Sequence, residues 1–413
     1  MRVGIIFPYT GLGSVPCLVA AIDALRAAEC RVDVFCAGEA DAAGIHASAV
    51  HVPKRGSAAF TEDPIEKPGW ARPIPYPLFE ASAGPAVRAR RRRASLSRLS
   101  RLHRESPFSW FIGVDPEGLV EAEAWGRHVG VPYAYWSLEI LAAGEIVSPH
   151  LRRLKHREIR ANRGAEFTIV QDAARGALLR AENEIVAERL VHVPNAASGQ
   201  ARRAKRYCAH ELLGIPKDRL VVLCAGTIAR WCMTEEIVRA AGAWPGDAVL
   251  VVHSRHSADR DPYARRVVEA ADPARVRFSG RPLSAVDYRA LVDSADVGLA
   301  LYRPLENERY VQSNLVTMGL SSGKVSAYLQ AGLPLVVNRI EGPAGLVDEY
   351  ACGEVVNAPE EIGAALERIA ADYDRCSRGA LRCFAEELDF ERHFAAVLAL
   401  LSHPESTSAQ ADR

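Results

Sequence analysis

The seventeen residues SSGKVSAYLQAGLPLVV, from Ser321 to Val337, constrain the chain most, because they join a small-residue turn, a lysine, a glycine stop and a buried strand. Ser321, Ser322 and Gly323 allow the backbone to come close to a ligand. A helix from about residue 324 to 331 then aims its free N–H groups and positive dipole end at the same place. Lys324 adds a full charge there. Gly332 ends the helix as a C′ residue, Pro334 prevents its continuation, and Leu335 to Val337 opens a continuous apolar strand of the kind found in parallel sheets. The segment predicts an anion-binding corner suited to a diphosphate.

The chain has 413 residues, 49% hydrophobic and 25% charged. That exceeds what one core usually fills, so two domains are expected. The net charge is zero, which argues against nucleic acid as the main partner. Nine cysteines are scattered without a C-x-x-C pair, several inside apolar runs such as VVLCAG. They read as reduced core thiols, and the ligand spacing of a zinc site is absent. The opening MRVGIIFPYTG turns into a loop too soon for a signal peptide, and no run approaches the ~18 apolar residues of a membrane span. A soluble cytoplasmic protein is expected, with peripheral membrane contact open.

The pattern along the chain is a repeated strand-then-helix grammar. Residues 2–7 read as a buried strand, 9–14 as a glycine-rich turn, 16–28 as a helix and 31–36 as the next strand. Further strands are expected at 110–114, 133–137, 167–171 and 190–193, with helices at 117–128 and 151–163 between them. NAASGQARRAKR, residues 195–206, lacks either period and reads as an interdomain linker. The grammar then restarts, with strands at 220–225, 248–253, 276–278, 297–301 and 335–337. The fold class is therefore α/β, with two Rossmann-like domains facing across a cleft, residues 1–200 and 207–385. A helix within 386–402 is expected to pack back on the first domain, and the polar tail from 402 to 413 to be disordered.

Two such halves, with VHVPNA, LCAGTIAR, RFSGRP, DSADVGLALYRP and SSGKVSAYLQAGLPLVV in that order, resemble the GT-B glycosyltransferases, most closely the family-4-like enzymes that use nucleotide sugars. The resemblance covers nearly the whole chain. It implies a nucleoside diphosphate sugar as donor, bound mainly on the second domain, and an acceptor, bound mainly on the first, that is a glycan, a lipid or a small molecule. Lys324 matches the lysine that contacts the donor diphosphate in this family, and a fixed cation there would stabilise the charge of the leaving group. An exposed helix lysine is the alternative. Arg230, in GTIAR, would meet the same diphosphate, or is a surface arginine on a loop; Gly226 and Thr227 would let that loop approach closely, although a plain strand-to-helix turn explains those two as well. Ser321, Ser322, Gly323, Ser326 and Tyr328 complete the donor-binding set. Gly11, Gly13 and Ser14 fall where related enzymes place a loop under the transferred sugar, although any βα turn needs small residues. Pro16 leaves the dinucleotide pattern G-x-G-x-x-G incomplete, against a nicotinamide or flavin. Glu139 resembles an acidic residue that faces the cleft, or is a capping carboxylate. The clamp of lysine, arginine and helix implies that no metal and no cofactor is needed.

The departures carry as much information. In K-x-x-E-Y the family glutamate contacts the ribose; here the position is Ala327. A second glutamate eight residues before it would fall at Gly319. Ser326 or Glu306 compensates, donor affinity is weak, or catalysis is lost. The resemblance suggests transfer with retention, where inversion would need a base such as Glu139. Two rivals remain: a sugar-nucleotide epimerase of the same fold and an inactive nucleotide-binding partner protein. Finally, the basic run from Arg88 to Arg104, with Leu96, Leu99 and His103 on one helical face, reads as a peripheral contact for anionic lipid, as an acceptor-binding strip, or as a solvated helix.

Overall fold

A computed structural model describes residues 1–9, 11–36, 45–51, 85–305 and 312–402, with the side chains of residues 85–91 and 260 excluded. Glu306 and the tail beyond residue 402 lie outside the described residues. The chain divides into two units. The first runs to Val193 and includes the last helix; the second runs from Pro194 to Asp389.

The first unit contains, in chain order, β1 (Arg2–Phe7), α1 (Pro16–Ala27), β2 (Arg31–Cys36), β3 (Ala49–His51), α2 (Pro85–Glu105), β4 (Trp110–Val114), α3 (Asp115–Val129), β5 (Tyr133–Trp136), α4 (Pro149–Arg163), β6 (Thr168–Val170), α5 (Ala173–Asn183) and β7 (Leu190–His192). Its strands pair in parallel in the order β3-β2-β1-β4-β5-β6-β7. The apolar runs dictate this: β1 and β4 are buried at every residue, as strands covered on both faces must be. At the start of the sheet, Arg2 forms an ion pair with the fully buried Asp33 at 2.6 Å, and His51 lies 2.8 Å from the same carboxylate. These partners, together, outweigh the opposing effect of burial and hold the Asp33 carboxyl well below the usual range. Arg2 also donates to the carbonyl of Leu102 at 2.8 Å and so ties down the end of α2.

The second unit contains α6 (Cys208–Leu213), β8 (Val221–Ala225), α7 (Thr234–Ala241), β9 (Val249–Ser254), α8 (Pro262–Glu269), β10 (Val276–Gly280), α9 (Ala285–Ser294), β11 (Val297–Ala300), α10 (Gln312–Val316), α11 (Gly323–Gln330), β12 (Leu335–Asn338), α12 (Pro343–Tyr350), β13 (Gly353–Val356), α13 (Ile362–Ala371) and α14 (Tyr373–Cys383). Its parallel sheet runs β10-β9-β8-β11-β12-β13. α15 (Phe390–Ser402) belongs to the first unit, where Phe394 stacks on Trp136 at 6.0 Å and the carbonyl of Leu401 accepts from the Trp110 indole at 2.9 Å.

Both sheets reverse strand order at one place, between β1 and β4 in the first unit and between β8 and β11 in the second. Such a switch point opens a crevice at the carboxyl ends of the strands, where ligands of open α/β sheets bind. The segment 195–206 lacks regular structure, and it is pinned along the second unit: the Arg202 N–H donates to Gln330, that of Arg206 to Asp293, and the Lys205 ammonium to Asp296 at 2.6 Å. All nine cysteines are free thiols and eight are buried. Among the described residues no helix is long and apolar enough to cross a membrane.

Candidate functional site

At the switch point of the second unit, three segments converge on Lys324. Ser322 caps α11, its hydroxyl accepting from the Val325 N–H at 3.4 Å and lying 2.9 Å from the Tyr302 hydroxyl. The helix begins at Gly323 and stops where Gly332 takes φ +67°. Lys324 places its ammonium 4.7 Å from the centre of the Tyr302 ring, which follows β11. From the other side comes the turn after β8, where Gly226 sits at φ +122°; a Cβ there would lie 3.7 Å from the lysine nitrogen, so glycine brings the backbone itself alongside the charge. Trp231 stacks on Tyr302 at 6.1 Å, and its carbonyl accepts from the Arg303 N–H at 2.8 Å, so the turn that begins at Arg230 is fastened to the end of β11.

Among the described residues no carboxylate pairs with Lys324. Burial works against its charge, and interactions with Tyr302, Cys232, Cys224 and Tyr288 overcome this and hold the ammonium above the ordinary lysine value. Burial also raises Tyr302 and Cys224, and pushes Tyr288 up to about 12, with Lys324 opposing in each case. Among the described residues, therefore, no carboxylate stands beside this charge at the N-terminus of α11. Arg230 is exposed, with its guanidinium 5.8 Å from the Tyr263 ring and no carboxylate partner among the described residues. Arg303 nearby differs, being paired with Glu236 at 2.6 Å.

The remaining donor-side residues fall into two groups. Ser321, Gly323 and Thr227 are half-buried around this corner, and the carbonyl of Ser321 accepts from Asn195 at 3.0 Å. Ser326 and Tyr328 lie on the inner face of α11, 2% and 0% exposed. The Tyr328 hydroxyl accepts the Ala225 N–H at 2.8 Å, and a Cβ on Gly298 would come within 2.3 Å of its ring. Tyr328 thus seats the helix on the sheet instead of facing a ligand, and Ser326 is too buried to take over a ribose contact. Ala327 is half-buried, and Gly319 sits at φ +45° against Gly342. Two D-x-D triplets occur, and both serve caps or local pairs: Asp261 accepts from the Tyr263 and Ala264 N–H groups, Asp259 from the Ser257 hydroxyl, and Asp372 pairs with Arg375. No group of three or more His, Cys, Asp or Glu among the described residues is arranged to hold a metal ion.

The first unit carries polar groups at its own switch point. Gly11, at φ +87°, opens a tight turn over Leu12–Ser14, closed by the Ser14 hydroxyl donating to the Gly11 carbonyl at 2.6 Å; Gly13 and Ser14 are exposed. After β4, Asp115 takes φ +56°, a conformation that costs a side-chain-bearing residue about 1 kcal/mol or more. Its carboxylate accepts the N–H groups of Leu138 and Glu139 at 2.8 and 2.9 Å. Desolvation by burial holds its pKa well above the usual range despite the Glu139 amide bond. Arg175, 1% exposed, donates to the Leu138 carbonyl at 2.7 Å and lies 3.9 Å from the Glu139 carboxylate. Glu139 is about half exposed, at 49% of its side chain, and the part that is covered raises its carboxyl, with Arg175 opposing. Tyr9 donates to Glu117 at 2.8 Å. Asp115, Glu117, Arg175 and Tyr302 escape a reading of the sequence. The signal for Asp115 is an aspartate between a buried strand and a helix-opening proline, in IGVDP.

No family model and no curated protein matches the chain. Its fold has solved counterparts. HepE from Anabaena, solved with UDP and glucose, is similar over 97% of this chain and 99% of its own, with a TM-score of 0.67 and 15% identity. A glycosyltransferase from Rickettsia africae gives 0.68 with 9% identity, and sucrose-phosphate synthase from Thermosynechococcus elongatus 0.63 with 15%, each over 98% of this chain and 99% of its own. The chain therefore has the two-domain Rossmann-like fold of the GT-B glycosyltransferases. Since the Tyr328 hydroxyl accepts from the buried Ala225 N–H, Tyr328→Phe should lower stability by about 1–3 kcal/mol, measured by urea unfolding. An unchanged midpoint would mean that the hydroxyl does not hold the helix.

Proposed function

We propose that this chain is a glycosyltransferase that moves a sugar from a nucleoside diphosphate to an acceptor hydroxyl. One observation carries the reading: an ammonium that no carboxylate among the described residues pairs with, at a helix N-terminus, in the crevice where open α/β sheets bind ligands. A diphosphate supplies the missing charge. HepE was solved with UDP and with UDP-glucose, which makes uridine the first base to test. Lys324 and the first N–H groups of α11 would hold the diphosphate as it departs, and Arg230 would close on it from the turn after β8. Transfer with retention is the stereochemical outcome in this reading, the departing phosphate taking the acceptor proton. Glu139 is the carboxylate of the first unit that accepts a hydrogen bond from the acceptor and orients it.

Ala327 and Gly319 favour a second reading, a nucleotide-binding partner without turnover, because neither can accept a hydrogen bond from a ribose or sugar hydroxyl through a side chain. Lys324→Ala separates the two. It should lower release of sugar from UDP-glucose by roughly 10²-fold or more, as expected for loss of a fixed charge on a leaving group, with an unchanged circular dichroism spectrum. Near-wild-type turnover in the folded variant would reject the role of the lysine. Wild-type protein whose melting temperature rises with UDP, without turnover of any donor in a panel of nucleotide sugars, would favour the inactive partner.

Peripheral contact with an anionic surface is a further part of the proposal, through α2. The helix has already committed its apolar face: Leu99 is buried, Ser95 lies 3.5 Å from Glu121, and Ser100 lies 2.8 Å from His128, both partners on α3. Arg92, Arg93, Arg98, Arg101 and Arg104 stay exposed. Lipid insertion is therefore closed to it, and adhesion must be electrostatic, about 1 kcal/mol per basic residue near an anionic membrane. The protein should sediment with phosphatidylserine vesicles at low salt and release at raised salt. Protein that stays in the supernatant at low salt would leave α2 a solvated or acceptor-binding surface.

A further inference from the structure

The loop that carries Glu139 is gripped from two sides. One carboxylate oxygen of Asp115 receives the N–H groups of both Leu138 and Glu139, and the buried Arg175 donates to the carbonyl of Leu138 from α5. The N–H and carbonyl of Leu138 and the N–H of Glu139 are thus engaged by side chains from other elements, while the Glu139 carboxylate itself remains about half exposed. A loop at the end of a strand does not need this to fold. Residue 115 adopts a left-handed backbone to deliver its oxygen, and it does so at the first position of α3, directly after a strand buried along its whole length. Such a mount restricts where the exposed carboxylate can point, which is the requirement for a group that must orient a substrate within a fraction of an ångström.

We infer that Asp115 is a positioning residue: it acts through Glu139, fixing the backbone from which that carboxylate meets the acceptor, with Arg175 as the opposing half of the clamp. The inference rests on the reading of Glu139 given under the proposed function. It adds a residue whose own side chain is 5% exposed and acts through the loop it holds.

Asparagine in place of Asp115 keeps an oxygen that accepts both N–H groups and tolerates the left-handed conformation, whereas alanine removes the acceptor. Four variants test the clamp: Asp115→Ala, Asp115→Asn, Glu139→Gln and the double Asp115→Ala/Glu139→Gln. Hydrogen exchange at the Leu138 and Glu139 amides should quicken at least tenfold in the alanine variant and stay within a few-fold of wild type in the asparagine variant. Release of glucose from UDP-glucose, with water as acceptor, should fall by roughly 10²-fold in Asp115→Ala and in Glu139→Gln, and no further in the double variant, because the two act as one unit. Asp115→Asn should recover to within about tenfold of wild type. The rise in melting temperature with UDP should persist in all four, since the donor residues lie in the other unit.

Losses that add in the double variant, an asparagine variant as inactive as the alanine one, or loosened amides with wild-type turnover would each overturn the inference. So would a wild-type protein that is stabilised by UDP and releases no glucose. A wild-type protein that UDP does not stabilise would instead remove the donor reading, and the amide exchange would still decide whether Asp115 holds the loop.

Discussion

The second unit is organised around a charge that no carboxylate among its described residues neutralises. Burying a lysine side chain among phenols and thiols costs stability, and a structural lysine would recover that cost by pairing with a carboxylate. Lys324 has none among the described residues, although the chain pairs Arg303 with Glu236 close by. Its neighbours Tyr302, Cys224, Cys232 and Tyr288 are phenols and thiols. The arrangement around it is rigid: Tyr328 pins α11 to β8, Ser322 ties its first turn to Tyr302, and Gly226 lets a second backbone come within reach. Electrostatic stabilisation of a leaving group requires this combination of fixed dipoles and an unsatisfied cation, because nothing has to reorganise when the charge develops.

The first unit shows the complementary design. Its carboxylate is presented outward, and the supporting groups are buried. Deeper in the same unit, Lys155, Glu158, Asn162, Asn183, Thr168 and Tyr135 form a continuous buried hydrogen-bond network linking α4, α5, β5 and β6. Such a network ties the elements it joins to one another. Its member Tyr135 lies in β5, the strand that precedes the Glu139 loop.

Much of this was legible in the sequence, for reasons that can be stated residue by residue. Strands covered on both faces must be apolar throughout, so β1, β4, β8 and β11 announce themselves, and their order fixes two Rossmann-like units. The glycine after α11 and the small residues before it mark the two ends of that helix. Two edge strands, Ala49–His51 and Gly353–Val356, escaped because they are short and only partly buried, with His51, Gly353 and Glu354 breaking the apolar run. The K-x-x-E-Y resemblance puts Tyr328 in the donor-binding set, whereas its spacing with Val325 and Leu329 puts it on the buried face of the helix. The Asp115 clamp joins residues 23 and 24 apart in sequence, and no local pattern encodes such a contact.

The central claim is that the second unit is built for two phosphates and not merely for a nucleoside. Calorimetric titration of the intact protein with UDP, UMP and uridine tests it most directly. A charge-assisted contact contributes about 1.5–3 kcal/mol, so losing the terminal phosphate should weaken binding by roughly tenfold or more, and uridine should bind weakest. Raised salt should narrow the difference between UDP and uridine. Equal affinity for UDP and uridine, at low salt and high, would contradict the account.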